Sequence, residues 1–159
     1  TGIDPKVQNP SIILGFSKAS VDRFGSAVNA EYKKALENYG EKLNALIDAA
    51  EDIGITQAFQ GDILEKAKDY PAMGSYVAEL ESAKGELEWF YNYRPVKVGE
   101  VIPVPAGTLH ALGTGVEVVE PQIAGLTQSL EDGATYPVRY YFPGHERPGA
   151  QKQLDIDRV

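Results

Sequence analysis

The sequence predicts a mainly β fold interrupted by a helical insertion, and three observations carry that expectation. A short apolar run, Ser11 to Phe16 (SIILGF), reads as a buried strand. The next seventy or so residues change texture, with apolar residues recurring at helical spacing. After Tyr93 the chain turns to stretches rich in β-branched and aromatic residues, punctuated by Gly and Pro. On this reading residues 1–19 and 93–159 supply the strands and 20–92 form the helical insertion.

Taken in order, Ser20 is placed to cap a first helix through Val21, Phe24 and Val28. Tyr32, Leu36, Tyr39, Leu43, Leu46, Ile47 and Ala50 continue the helical spacing, and Gly54 stands where that helix stops. A shorter helix is expected over Asp62 to Lys68. Another follows Pro71, with Met73, Tyr76, Val77, Leu80, Ala83, Leu87 and Phe90 on one side. Gly40 and Gly85 count against unbroken helices, because glycine in a helix interior costs about 1 kcal/mol relative to alanine. Four strands are expected afterwards: Tyr93 to Val98, Val101 to Val104, Val116 to Glu120 and Thr135 to Phe142.

Composition excludes several kinds of function. With 159 residues, 43% of them hydrophobic, the chain is long enough to bury a core. There is no cysteine, so disulfides, thiolate metal sites and cysteine nucleophiles are ruled out. No apolar run approaches the roughly 20 residues of a membrane span, and no signal peptide is visible. Of the net charge of −8, residues 20–92 carry −7 (14 acidic, 7 basic) and the rest −1 (9 acidic, 8 basic). An acidic helical segment lacks the basic footprint that nucleic acids require.

Chemistry concentrates in GEVIPVPAGTLHALGT, from Gly99 to Thr114. Glycine permits the tight turn, Pro105 ends strand pairing, Gly107 allows a positive φ, and His110 then opens the next strand. A lone histidine is more often a core residue held by a backbone carbonyl than a ligand. Neutral imidazole is also the commonest protein metal ligand, so both readings of His110 stay open at the level of the residues. His145, in the polar loop FPGHERPG, reads as a surface residue.

The spacing of Gly99, Pro105, Gly107 and His110 resembles the second conserved motif of the cupin superfamily, with Thr114 where Asn is common. The longer stretch PVKVGEVIPVPAGTLHALGTGVEVVEPQ resembles the type I phosphomannose isomerase family, as do IILGF and the closing QLDIDRV. That resemblance implies a cupin-type jelly-roll barrel and a cytoplasmic, zinc-dependent aldose–ketose isomerase that interconverts mannose 6-phosphate and fructose 6-phosphate. It implies His110 as a zinc ligand, Glu120 in VVEPQ as a substrate contact, and Arg139 as a catalytic residue steadying the enediolate. Arg139 is equally readable as an exposed charge, because Pro137 occupies the position where the family's arginine is expected. Glu120 is alternatively a surface residue at the strand end, and Lys97 reads as solvated. The family's other zinc ligands come from earlier motifs that Gln8 and the stretch Asp4 to Pro10 do not reproduce, so the chain looks like an internal part of such a protein. The expected partner is a small sugar phosphate, with no nucleic acid and no membrane. The competing reading is a non-catalytic protein that binds a sugar or a protein partner. A cupin oxygenase is disfavoured, since two histidines and a carboxylate cannot be assembled here.

Overall fold

A computed structural model describes residues 2–55, 60–105, 107–121, 127–129 and 135–137. Two compact units emerge. The residues up to Lys18 join the described residues from Tyr91 onward in one, and Ala19–Phe90 make the other.

The second unit is helical throughout. Helix α1 (Lys18–Phe24) ends at Gly25, whose φ of 54° turns the chain through a short 3₁₀ segment into α2 (Val28–Asp52). One face of α2 is buried at Val28, Tyr32, Ala35, Leu36, Tyr39 and Leu43, and at Leu46 and Ala50 below them. The steps of three and four residues are those of a helical stripe. Gly40 interrupts nothing, because that packed stripe outweighs about 1 kcal/mol of propensity. The end of α2 follows the chain's own chemistry. Gly54 takes a φ of 81°. Its N–H donates to the Glu51 carbonyl at 2.9 Å, and the Ile55 N–H donates to Ala50 at 2.9 Å. These two bonds satisfy carbonyls that the helix end would otherwise orphan.

Helix α3 (Gln60–Ala67) buries Ile63 and Ala67, and a Pro71–Met73 3₁₀ turn leads into α4 (Gly74–Phe90). Helix α4 buries Leu80, Ala83, Leu87 and Phe90, again at steps of three and four. Exposed ion pairs link the helical segments, Lys42 to Glu79 at 2.8 Å and Lys68 to Glu81, and Lys68 also pairs locally with Glu65. Each lysine's pKa is raised, first by the hydrogen bond to its carboxylate partner.

The first unit consists of short strands. In the central sheet β2 (Ser11–Phe16) lies between β3 (Tyr91–Pro95) and β4 (His110–Leu112), antiparallel to both. Strand β1 (Gly2–Ile3) pairs with β5 (Val116–Glu117), and β6 (Thr127–Ser129) pairs with β7 (Thr135–Pro137). Ile12, Val96 and Val116 form a small buried cluster, with Ile3, Leu14 and Ile102 against it. Phe16 and Tyr91 are partners in the β2–β3 ladder, so the helical residues leave and rejoin the sheet at adjacent positions.

The mainly β jelly-roll expectation is overturned. Helix dominates the described residues, and their strands make three separate small sheets with no closed barrel. Proline explains part of the shortfall. Val101 to Val104 forms no strand, because Pro103 and Pro105 remove alternate donors from any ladder. Val101 is left 89% exposed there. Pro95 closes β3, and β5 stops at Glu117 instead of reaching Glu120. Ser20 is not a cap either. Helix α1 begins at Lys18, and Ser20 lies fully buried inside it, with Ser17 at the preceding position.

Candidate functional site

Two turns of the same design position His110. In the first, the Glu100 N–H donates to the Lys97 carbonyl at 3.1 Å, with Gly99 third at a φ of 77°. The Glu100 carboxylate also accepts hydrogen bonds from Arg94 and from the Lys97 N–H, and these two bonds hold it below the usual glutamate range. In the second turn, the Thr108 N–H donates to the Pro105 carbonyl at 3.1 Å, with Gly107 third at a φ of 79°. A positive φ at the third position is the type II geometry that favours glycine. The chain then enters β4, where His110 pairs with Leu14. The Leu109 carbonyl accepts the Gly15 N–H at 2.7 Å, which anchors the turn to the central sheet.

The imidazole does not enter a barrel; it lies at the surface. Its Nδ1 is 2.8 Å from the Thr108 carbonyl. A carbonyl can only accept, so Nδ1 carries the proton and the neutral ring presents a bare Nε2. That nitrogen faces Glu120 Oε1 at 3.8 Å, with the two side chains 49% and 52% exposed. Glu120 reaches this position from the loop after β5 rather than from a strand end. The structure therefore brings together His110 and Glu120 of the three predicted site residues; Arg139, like His145, lies outside the described residues. Lys97 is exposed.

The pair has a definite chemical character. Two acceptors face one another, so the group between them must be positive: a proton on Nε2, the hydrogens of a bridging water, or a cation. Half exposure gives a small polar molecule direct access. A catalytic zinc requires at least three protein ligands. Among the described residues no three His, Cys, Asp or Glu side chains come together. The described residues thus do not make a zinc site by themselves.

The backbone carbonyl of the alternative reading is present as that of Thr108, which selects the tautomer, but the ring it holds is exposed and not in a core. Sequence reasoning missed a groove in the helical unit. Arg23, Phe24, Lys34, Asn38, Gly85 and Trp89 are among the residues lining a cavity of about 650 Å³. Its residues come from α1, α2 and α4, and no motif links them.

No helix among the described residues is long and apolar enough to cross a membrane. No protein-family model matches the chain, and no solved structure matches it. Over 76 residues the chain is 34% identical to the mannose-6-phosphate isomerase of Streptococcus mutans; the match takes in 48% of this chain and 22% of that protein.

Proposed function

We propose that this chain is part of a sugar isomerase-like protein acting on a small sugar phosphate, with mannose 6-phosphate and fructose 6-phosphate as the interconverted pair. The partial likeness to a mannose-6-phosphate isomerase supports this reading. The single observation that carries it is the His110–Glu120 pair, a bare imidazole nitrogen and a carboxylate 3.8 Å apart at an accessible surface.

Aldose–ketose isomerisation moves a proton between adjacent carbons through an enediol, and needs a group to accept and return it. His110 suits that need when neutral, because the Thr108 carbonyl leaves Nε2 available. Glu120 would orient a substrate hydroxyl by accepting a hydrogen bond from it, and as a carboxylate would stabilise the imidazolium that forms. Arg139 would assist at the reacting carbons. Zinc enters only with donors beyond the described residues; His110 would then be a ligand through Nε2, and the proton would pass to another group. A cytoplasmic setting belongs to the same proposal.

The test is a coupled assay of mannose 6-phosphate conversion to fructose 6-phosphate, on the purified protein with and without added zinc. Activity that falls at least a hundredfold in His110→Ala supports the reading. Activity unchanged by that substitution refutes His110's role, and no activity under either condition favours the non-catalytic alternative. That alternative has its own supporting observation in the shortage of metal donors among the described residues.

A further inference from the structure

The groove between α1, α2 and α4 combines three features that the packing of a helical bundle does not require. The first is its aromatic wall. Phe24 stacks on Phe90 with centroids 5.9 Å apart and meets Trp89 edge-on at 5.9 Å. Phe90 is buried, yet Trp89 keeps 38% of its surface exposed beside the cavity. Arg23 lies over both Phe24 and Trp89, at 5.1 and 5.7 Å from their centroids. The second is Gly85, in the interior of α4. A Cβ built there would meet nothing within 4 Å. The space it would occupy is the groove itself, and a helix-interior glycine gives up about 1 kcal/mol relative to alanine.

The third feature is the polar ring, and it selects the ligand. Lys34 pairs with Glu31 at 2.6 Å, and the Asn38 amide donates to Glu86 at 3.3 Å. With Arg23, the lining carries two cations, two carboxylates and an amide, with no net sign. An apolar ligand would strip water from these groups without replacing their hydrogen bonds, a cost of roughly 1–3 kcal/mol for each. A phosphate would have to compete with Glu31 for Lys34 and approach two carboxylates. A neutral ring with one apolar face and a rim of hydroxyls meets both demands. Its C–H face lies on the exposed indole of Trp89, while its hydroxyls exchange hydrogen bonds with planar amide, carboxylate and guanidinium groups. We propose that this groove binds a neutral saccharide, a pyranoside ring packed on the exposed part of Trp89 with its hydroxyls held by Arg23, Asn38 and Glu86. The volume lies within the roughly 300–1,000 Å³ range of small-molecule pockets. The proposal is independent of the His110–Glu120 pair.

Trp89 is the chain's single tryptophan, so intrinsic fluorescence reads the groove directly. Methyl glucopyranoside, methyl mannopyranoside and their disaccharides are titrated into the protein, into His110→Ala and into Gly85→Leu. The expected result is a saturable change in emission for at least one of these sugars. It should be unchanged in His110→Ala and weakened at least about tenfold in Gly85→Leu, which fills the groove while improving helix propensity. Circular dichroism and the melting temperature verify that the leucine variant folds. No saturable response to any neutral saccharide overturns the proposal. So does an undiminished response in folded Gly85→Leu.

Discussion

Leu14 of β2 and His110 of β4 are partners in the central sheet, and the turn closed by Thr108 and Pro105 delivers the chain to that pairing. The imidazole is thus placed by backbone geometry, with Gly107 at its pivot. A Cβ on Gly107 would meet nothing within 4 Å, so the cost of a side chain there is conformational alone. Gly107→Ala should lose about 1–2 kcal/mol in urea denaturation, the cost of a left-handed backbone for an L-residue. Gly107→Asn should lose less, since asparagine tolerates that conformation.

Gly113 and Gly85 should respond in opposite directions to the same substitution. A Cβ at Gly113 would clash with the Ser11 backbone carbonyl, which cannot swing aside as a side chain can. Gly113→Ala should therefore be destabilising by several kcal/mol or prevent folding of the strand unit. Gly85→Ala should raise stability by up to about 1 kcal/mol, and thermal melts of the two variants provide the comparison.

The α2–α4 seam holds the helical unit together. Leu46 and Leu87, at 0% and 1% exposure, sit on the buried faces of these two helices. Truncating either to alanine should cost about 2–5 kcal/mol, measured by chemical denaturation. A loss well below that range would mean that the seam collapses around the missing side chain.

Glu100 provides a pH signature. Its folded pKa lies below the ordinary 4.5, chiefly because of the hydrogen bond from Arg94. A depressed carboxylate stabilises the fold above its unfolded pKa and ceases to do so as pH falls through the folded value. The stability difference between wild type and Glu100→Gln should therefore be present at neutral pH and shrink steadily below about pH 4.5. High salt should reduce it only in part, because the pair is part-buried. Denaturation curves across that range check both trends.

The helical residues were the more legible half of the sequence. The buried positions of α2 and α4 recur in the expected register, and Gly54 terminates α2 where its left-handed conformation was expected. Periodicity reports such helices because one packed face repeats over many turns. The strand unit was less legible. Strand β2 spans the expected Ser11–Phe16, but the valine-rich Val101 to Val104 forms no strand because prolines remove its ladder donors. β-branched composition describes what could pair, whereas proline spacing decides what can. At the candidate site, His110 and its turn could be read from residue order. Its 3.8 Å approach to Glu120 could not, because a loop without periodicity sets it.

The central claim is that His110 and Glu120 together engage a sugar phosphate. With only two histidines in the chain, the His110 ring protons can be assigned by comparison with His110→Gln. Proton NMR of these signals during titration with mannose 6-phosphate, in wild type and in Glu120→Ala, is the most direct test. The account predicts a saturable shift of the His110 signals in wild type that is weakened at least about tenfold in the Glu120 variant. His110 signals that stay fixed throughout the wild-type titration would contradict it.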